Sequence, residues 1–223
     1  MSPWTDRFNT RMRQSTTNQP KSGPELTFVR RVLLGLLSRL GRVGISIKPY
    51  LMVREGAAST AAAITLDPRF SAGFIGPDDT PELVRVEPGI TAEQCVDRFQ
   101  RGLLCYAVKD GRRIVAKMWC DLEEVNFPPC HRKLGRQEAY LFNAYTDPTV
   151  RGHSLAPYMR QQCYAALRAR GRDVFYSYSD YFNTASRRFK KKLGAIEESL
   201  FVHFCLFGRY SRTFTLRRYS GRN

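Results

Sequence analysis

The sequence lacks any apolar stretch long enough to span a bilayer, and its first 19 residues are polar, without the apolar core of a signal peptide. Its six cysteines are scattered, and no two of them have C-x-x-C spacing. Several fall inside predicted strands or helices, where buried, reduced thiols are found. Cys130-His131 has no second ligand pair beside it, so no metal site is expected. These absences predict a cytoplasmic protein.

Acidic residues are also scarce. The chain has 20 Asp and Glu against 36 Lys and Arg, a net charge of +16. Residues 1–50 hold nine basic and two acidic residues and residues 131–223 hold eighteen and six, whereas residues 51–130 hold nine and twelve. An excess of this size favours polyanionic partners: nucleic acid, anionic lipid, an acidic carrier protein or a phosphate-rich cofactor.

The length of 223 residues suits one domain with additional segments. Residues 1–24 are polar, and we expect a disordered tail. Residues 25–80 are predicted to form an amphipathic helix at 25–42, followed by a linker or a covering segment. We expect the apolar side of that helix to dock on protein, and contact with an anionic membrane is the alternative. Residues 81–210 are predicted to be the main domain, and residues 211–223 a basic tail.

Regular alternation of strand and helix patterns defines the main domain. Antiparallel hairpins come first, and strands joined by helices follow, which predicts a mixed α/β (α+β) fold with a twisted sheet flanked by helices. The predicted strands cover residues 83–87, 103–109, 112–121, 138–146, 173–179 and 197–207, with an earlier candidate at 45–54. The predicted helices cover residues 91–100, 155–170 and 183–193.

Residues 138–171 form the most informative stretch. An apolar strand ends at Asp147-Pro148, a short loop contains Arg151, and a helix with a four-residue apolar spacing begins near Leu155. The first N–H groups of a helix have no intrahelical partner, and the helix dipole adds positive charge there. This arrangement predicts that a phosphate or pyrophosphate binds at the loop.

The spacing of that loop resembles a known motif. Pro148-x-x-Arg151-Gly152-x-Ser154-x-Ala156 is similar to the acyl-CoA loop of the GNAT N-acyltransferase superfamily, whose core is Arg/Gln-x-x-Gly-x-Gly/Ala. Ser154 stands where the family prefers glycine, and its Cβ and hydroxyl occupy the point where the backbone should approach the pyrophosphate.

A second segment about thirty residues later resembles the same superfamily. Residues 180–195 are similar to the signature Asn-x-x-Ala-x-x-x-Tyr-x-x-Leu-Gly-Phe, with Asn183, Ser186, Leu193 and Gly194 at matching intervals. Ser186 replaces the alanine, and Lys190 stands where the family often has a tyrosine general acid. The resemblance covers residues 81–210 and implies a GNAT-like fold.

The resemblance implies how a donor would bind. In the family, the pantetheine arm pairs with the strand before the loop, which here places it on Ala144, Tyr145 and Thr146. The pyrophosphate would meet the loop and the helix start, and the second signature would line the other side of the donor. The implied binding residues of these two regions are Arg151, Gly152, His153, Ser154, Leu155, Ala156, Asn183 and Ser186.

The chemistry needs a group to accept a proton from the amine and a group to protonate the leaving thiolate. Glu138 is the only carboxylate on the central predicted strand and is our candidate base. The alternative is that Glu138 is a strand-end carboxylate paired to an arginine. Tyr181, just before the 183–193 helix, is the candidate acid, with simple packing as its alternative. His153 and His203 are interpreted as loop and strand residues.

The donor remains open between three classes. Acyl-CoA is the first hypothesis, as a co-substrate that transfers its acyl group to an amine of a small molecule or peptide and forms an amide bond. The basic excess keeps an acyl carrier protein and an aminoacyl-tRNA as alternative donors. A non-catalytic GNAT-like binding module is the remaining alternative. The residues considered for contacts with tRNA phosphates are Arg160, Arg168, Arg170, Arg172 and the basic cluster at 187–192.

Overall fold

The structure is a computed structural model, and it describes residues 39–41, 43–56, 64–127, 130–151 and 154–219. The strands are β1 Ile45–Glu55, β2 Phe70–Ile75, β3 Leu104–Asp110, β4 Arg113–Asp121, β5 Glu124–Phe127, β6 Cys130–Lys133, β7 Glu138–Thr146, β8 Val174–Asp180, β9 Ile196–Leu206 and β10 Tyr210–Arg218. The α-helices are α1 Thr80–Val86, α2 Ala92–Gln100, α3 Leu155–Arg168 and α4 Thr184–Lys192. Short 3₁₀ turns cover Pro77–Asp79 and Pro148–Val150.

Eight strands form one sheet in the order β10-β9-β1-β8-β7-β4-β3-β2, and β5 pairs with β6 in a separate hairpin. Strands β7 and β8 run parallel, and the other neighbours in the large sheet run antiparallel. This parallel pair therefore lies in the middle of the sheet, and the crossover that joins its strands contains α3.

Helices cover both faces of this sheet. On one face, Leu155 and Met159 of α3 pack with Leu141 of β7 in the larger core cluster. On the other face, Leu83 of α1 packs with Trp119 of β4 in a second cluster. The predicted fold class, a twisted mixed sheet flanked by helices, is confirmed.

A helix cap and a hairpin turn, both predicted from local sequence patterns, are present in the structure. Thr91 accepts a hydrogen bond from the Gln94 amide, and the Gln94 side chain accepts one from the Thr91 amide, which completes a capping box at the start of α2. The turn at Asp110-Gly111 joins β3 to β4, with Gly111 at φ +59°. These elements depend on neighbouring residues in the chain, and so the sequence predicts them well.

The predicted strand at 83–87 is wrong, because these residues belong to α1 and its C-cap. Leu83 and Val86 are buried three residues apart, which is the spacing of a helix face. Pro81 lies in the first turn of α1, where its missing N–H costs nothing. A run this short has no periodicity that separates a buried helix from a buried strand.

The predicted limits of the domain are also corrected. Strand β1, placed by the sequence in a linker region, pairs with β8 on one side and with β9 on the other. Strand β2 lies in the predicted linker and pairs with β3. Strand β10, in the predicted C-terminal tail, pairs with β9. The sheet thus extends over residues 45–218, because long-range pairing brings these segments together.

The predicted polar tail at 1–24 and most of the amphipathic stretch at 25–42 lie outside the described residues. Within the described part of the chain, no helix combines the length and the hydropathy needed to cross a bilayer. Among the same residues, no group of three or more His, Cys, Asp or Glu side chains has the geometry to hold a metal ion.

Candidate functional site

Strands β7 and β8 separate after a short parallel ladder. The ladder runs from Glu138 opposite Val174 to Tyr140 opposite Tyr176, while β7 continues to Thr146 and β8 continues to Asp180. These continuing segments, 141–146 of β7 and 177–180 of β8, are described throughout, and no ladder joins them. We call the space between them the interstrand gap. Backbone N–H and C=O groups that face such a gap can pair with an extended ligand.

The predicted pantetheine contacts lie on the separated part of β7. On the side away from the gap, Tyr145 pairs with Lys117 and Thr146 pairs with Ala116 of β4. Ala144 is exposed, and Tyr145 and Thr146 are half-buried. Tyr145 and Thr146 are therefore paired with β4 on one side, and all three residues belong to the separated part of β7 beside the gap.

A β-bulge bends β7 in the same region. Phe142 pairs with Trp119 and Tyr145 pairs with Lys117, so two residues of β7, Asn143 and Ala144, face one residue of β4. Asn143 has φ +51°, in the left-handed region that asparagine tolerates better than most residues. The bulge redirects the backbone of β7 at the gap.

A buried ion pair supports this bulge from the α1 side of the sheet. The Lys117 ammonium is fully buried, contacts the Glu87 carboxylate, and donates a hydrogen bond to the Asn143 carbonyl oxygen at 2.8 Å. Glu87 is the C-cap residue of α1. Burial lowers the pKa of Lys117, and the nearby Glu87 carboxylate opposes that shift.

The loop after β7 leads into the N-terminus of α3. The Asp147 side chain accepts hydrogen bonds from the amide and hydroxyl of Thr149, at 2.9 and 2.7 Å, and so fixes the 3₁₀ turn. Arg113 forms an ion pair with Asp147 from β4. Leu155 is buried and Ala156 is half-buried, and their N–H groups belong to the first turn of α3. Gly152 and His153 lie outside the described residues.

Ser154 is the N-cap residue of α3 and has a left-handed backbone, with φ +56° and ψ +19°. Its carbonyl oxygen accepts the Tyr158 amide at 3.1 Å, and its side chain makes no capping hydrogen bond in the structure. Glycine adopts such a conformation without a Cβ penalty. The left-handed backbone therefore explains why the GNAT motif prefers glycine at this position. In this chain, Ser154 adopts the same conformation at a cost in conformational free energy.

Arg151 lies at the gap end of the loop with an exposed side chain. Its Nε donates to the Thr146 carbonyl oxygen at 3.4 Å, which keeps the guanidinium beside the end of β7. Arg151 thus places a cation beside the end of β7, and the first turn of α3 follows a few residues later. A phosphate-bearing ligand fits this combination.

Helix α4 begins on the opposite side of the gap, after β8. Asn183 is its N-cap residue, and its side-chain oxygen accepts the Ser186 amide at 3.0 Å. The Ser186 hydroxyl lies 3.1 Å from the hydroxyl of Ser179 on β8. Both predicted donor-binding residues on this helix are therefore in its first turn, next to the separated end of β8.

Sequence reasoning did not predict the buried charges beneath this helix. Glu55 at the end of β1 is 1% exposed, and it contacts the hydroxyls of Tyr164 and Ser177. Its carboxylate lies 3.6 Å from the Arg160 guanidinium and 3.7 Å from the Lys190 ammonium. We call Glu55, Arg160 and Lys190 the buried charge cluster.

Lys190 makes three hydrogen bonds within this cluster. Its ammonium donates to the hydroxyls of Ser177 and Ser179, at 2.7 and 2.8 Å, and to the Tyr178 carbonyl oxygen at 3.1 Å. Burial lowers the pKa of Lys190 to about 8, although the Glu55 carboxylate acts in the opposite direction. Burial alone would raise the pKa of Glu55, but Arg160 and Lys190 lower it. Strand β1 also contains Lys48 and Arg54, so the sequence gives no signal that singles out Glu55 as buried.

Glu138 lies at the paired end of β7, where β7 and β8 are still joined. Its Oε2 accepts hydrogen bonds from Arg132 Nη1 at 2.7 Å and from the Gly135 amide at 2.9 Å, and its Oε1 accepts the Tyr176 hydroxyl at 3.3 Å. Burial acts to raise the pKa of Glu138, but these hydrogen bonds outweigh it and lower the pKa. The geometry favours the alternative of a strand-end carboxylate paired to an arginine over the proposed base.

Tyr181 follows β8, and its side chain packs against neighbouring residues. Its amide donates to the Pro49 carbonyl oxygen at 3.0 Å, and the Arg187 guanidinium lies 4.6 Å from the centre of its ring. Its ring also contacts Phe182 edge to face. These contacts favour a packing role for Tyr181, and the acid role remains a hypothesis.

Several basic residues considered for RNA contacts have structural partners. Arg160 and Lys190 are each 3% exposed, within the buried charge cluster. Arg172 donates to the carbonyl oxygens of Leu122, Gly135 and Glu138, at 3.1, 3.2 and 3.0 Å. The exposed basic surface of this region is therefore smaller than the sequence indicates.

Solved structures resemble this chain in fold. A GNAT-family acetyltransferase of Colwellia psychrerythraea aligns with a TM-score of 0.55 and 13% identity over 84% of this chain and 76% of its own. A GCN5-related N-acetyltransferase of Sphaerobacter thermophilus gives 0.53 and 13% over 82% of this chain and 57% of its own. A protein of Novosphingobium aromaticivorans DSM 12444, described as a GNAT-family acetyltransferase, gives 0.50 and 22% over 71% of this chain and 65% of its own.

These similarities establish that the chain has the GNAT fold. No family model matches the sequence, and no curated protein matches it. The chain spans less than two thirds of the Novosphingobium and Sphaerobacter proteins.

Proposed function

We propose that this GNAT-fold protein is an N-acyltransferase that takes an acyl group from acyl-CoA and transfers it directly to a primary amine. The observation that carries this proposal is the interstrand gap, which opens between the parallel strands β7 and β8 on the side where β7 runs on to Thr146, with residues 147–154 between that end and the start of α3 at Leu155. An extended pantetheine arm can add to the free edge of β7 as a short strand. The pyrophosphate then reaches the first amides of α3.

In this proposal, the residues of the site divide into three groups. Ala144, Tyr145 and Thr146 pair with the pantetheine arm through their backbone. Arg151 and the loop amides bind the pyrophosphate, and Asn183 and Ser186 bound the donor from α4. Orientation of the thioester and the amine supplies much of the rate enhancement, because a bound pair reacts without the entropic cost of an encounter.

Arg151→Glu tests the donor site by placing a negative charge at the proposed pyrophosphate position. We expect the affinity for CoA, measured by calorimetry, to fall roughly tenfold or more, as the loss of a charge-assisted contact predicts. Arg209→Glu is the matched control, because this exposed arginine lies beside β10 at the far edge of the sheet. Unchanged CoA affinity in Arg151→Glu would remove the assignment of the loop to the pyrophosphate.

The acceptor in this proposal is an amine of a small molecule or a peptide. A library of primary amines incubated with acetyl-CoA, with free thiol release as the readout, identifies the class. If CoA binds but no amine in a broad library accelerates thiol release, the alternative of a non-catalytic binding module gains support.

We place the reaction in the cytoplasm, because the six cysteines are free thiols and four of them are buried. We also propose that the stretch at 25–42 docks on protein, with an anionic membrane as the alternative partner. Co-sedimentation with anionic liposomes tests this, and loss of binding after removal of residues 1–42 would favour the membrane.

A further inference from the structure

The hydrogen-bond directions around Lys190 follow from the number of protons on each group. The Lys190 ammonium has only protons to give, and a carboxylate such as that of Glu55 can only accept. Lys190 donates to the hydroxyls of Ser177 and Ser179, and each hydroxyl has a single proton left to donate. Ser177 donates its proton to the Glu55 carboxylate.

The second hydroxyl leads away from the buried cluster. Ser179 lies on the separated part of β8, and its remaining partner is the Ser186 hydroxyl at 3.1 Å. Either hydroxyl can be the donor of this contact. In the arrangement where Ser179 accepts from Lys190 and donates to Ser186, Ser186 keeps its own proton to give outward. Ser186 is partly exposed in the first turn of α4. In that arrangement, a directed chain of donors runs from the buried Lys190 ammonium to Ser186, beside the separated part of β8.

The charges around Lys190 favour the donation of a proton toward the gap. They also give the gap a positive electrostatic potential. Lys190 faces Glu55 on β1, Arg160 on α3, and Ser177 and Ser179 on β8. One carboxylate faces two cations, so the buried charge cluster has an excess of one positive charge. Arg160 Nε and Nη1 are buried and have no hydrogen-bond partner among the described residues. An excess charge in a buried site is stabilised when an anion approaches it.

We propose that Ser186 contacts the donor sulfur and protonates the leaving thiolate, with Lys190 supplying the proton through Ser179. This inference rests on the proposed function, since it requires a pantetheine thioester in the interstrand gap. Ser186 is the catalytic residue of this step, because it touches the sulfur. Lys190 and Ser179 act through it, as positioning residues and as the proton source.

The proposed step balances as follows. The amine nitrogen forms a bond to the acyl carbon, and the C–S bond breaks with its electron pair on sulfur. Sulfur takes the Ser186 proton, the Ser186 oxygen takes the proton of Ser179, and the Ser179 oxygen takes one from the Lys190 ammonium. The proton lost by the amine nitrogen goes to solvent, and neutral Lys190 regains a proton from solvent through the same chain. The pKa of Lys190, about 8, is close to that of an ordinary thiol, so the transfer is nearly balanced in free energy.

The experiment titrates the thiol of CoA bound to the full chain, which requires no known acceptor. The ultraviolet absorbance of the thiolate is followed against pH, with desulfo-CoA as the blank, in the wild type and in Ser186→Ala and Lys190→Met. In the wild type, we expect the pKa of the bound thiol to lie below that of free CoA, because a hydroxyl donor stabilises the thiolate. Both variants should raise that pKa by about one unit, a tenfold loss of thiolate at a given pH.

Thr184→Ala is the control, since it removes a hydroxyl from the same turn of α4. Lys190→Met leaves Glu55 paired with Arg160 and is expected to fold, and Ser186→Ala removes one partly exposed oxygen. If the wild type binds CoA and its thiol pKa is the same in Ser186→Ala and Lys190→Met, the relay is wrong and the acyl-CoA proposal stands. The relay is also wrong if Thr184→Ala shifts the pKa equally. If the wild type does not bind CoA, both proposals fall.

Discussion

Lys117 donates a hydrogen bond from its buried ammonium to the main-chain carbonyl oxygen of Asn143, 2.8 Å away across the β4–β7 pair. Asn143 is the left-handed residue of the bulge that bends β7 at the interstrand gap. The same ammonium contacts Glu87 at the end of α1. The Lys117 side chain therefore contacts both α1, on one face of the sheet, and the backbone of the bulge at the candidate donor site.

Lys117→Met tests this connection. It removes the ammonium that faces the Glu87 carboxylate inside the protein, and breaking a buried ion pair from one side costs about 3–5 kcal/mol. We expect a loss of that size in the free energy of unfolding by urea, together with weaker CoA binding because the bulge loses its support. The double variant Lys117→Met/Glu87→Gln removes both charges and should recover much of the stability. A single variant as stable as the wild type would show that the pair is not holding the bulge.

Glu138→Gln separates the two interpretations of Glu138. Because Arg132 and the Gly135 amide hold its carboxylate and lower its pKa, we expect turnover within about threefold of the wild type and a stability loss of about 1 kcal/mol or less. The measurement is kcat against pH. Arg132→Gln is the control, since it removes the same ion pair and keeps the carboxylate. A large fall in kcat in Glu138→Gln alone, with loss of the low-pH limb, would restore Glu138 as the base.

The sequence predicts those parts of the fold that depend on neighbouring residues. The Thr91–Gln94 capping box and the Asp110-Gly111 hairpin both form as expected. The sequence does not predict strand β10, because its side chains are almost all exposed and Arg212 interrupts the alternation of Tyr210, Phe214 and Leu216. Its pairing with β9, which defines it as a strand, depends on the preceding turn and on the rest of the sheet.

The residues of the candidate site also fall into those that the sequence predicts and those that it does not. Motif spacing identifies the loop at 148–156 and the start of α4, because those contacts lie within short segments. It does not reveal the role of Lys190, since the partner Glu55 comes from β1, a strand predicted outside the main domain. Glu55 and Ser177 are 122 residues apart in the chain and become neighbours only when β1 pairs with β8.

Ser154→Gly tests the backbone reason for glycine in the loop. The left-handed conformation costs a non-glycine residue roughly 1–2 kcal/mol, and glycine gives back about 0.5–1 kcal/mol through the entropy of the unfolded chain. We therefore expect stability to change little or to rise slightly, while CoA affinity increases several-fold as the Cβ and hydroxyl leave the path of the pyrophosphate. Ser154→Ala, which keeps the Cβ, is the control. Weaker CoA binding in Ser154→Gly would mean that the hydroxyl contributes to the donor site.

The lowered pKa of Lys190 predicts a specific dependence of stability on pH. The pKa is about 8 in the folded protein and about 10.4 in the unfolded chain, so between these values the unfolded state binds more protons. The free energy of unfolding should therefore rise with pH across this window, as the cost of burying the charged ammonium is relieved. Urea unfolding at several pH values compares the wild type with Lys190→Met, which should lack this rise. Lys191→Met is the control, because Lys191 is exposed on the same helix, and it should keep the wild-type slope. Equal slopes in all three proteins would show that Lys190 is not the group responsible.

The last prediction separates the possible donors by their response to salt. CoA presents a compact set of phosphates, so its affinity should fall only modestly as salt increases. A bound tRNA has many neutralised phosphates, and log affinity then falls by about 0.7 to 0.9 per neutralised phosphate for each tenfold rise in salt. Because Arg160 and Lys190 are buried and Arg172 is bonded to three carbonyl groups, we expect tRNA to bind weakly and without specificity.

The measurement compares CoA, an acyl carrier protein and bulk tRNA at two salt concentrations, with the exposed-charge variant Lys191→Glu/Lys192→Glu as the control for non-specific attraction. This variant should weaken the binding of tRNA and of the carrier protein and leave CoA affinity nearly unchanged. A carrier protein that binds only when it carries its pantetheine arm would make it the donor, through the same interstrand gap. Submicromolar tRNA binding near physiological salt, together with no detectable CoA affinity, would contradict the acyl-CoA proposal. Ser154 would then mark a loop that no longer approaches a nucleotide pyrophosphate, and an aminoacyl-tRNA would be the donor that fits the basic surface.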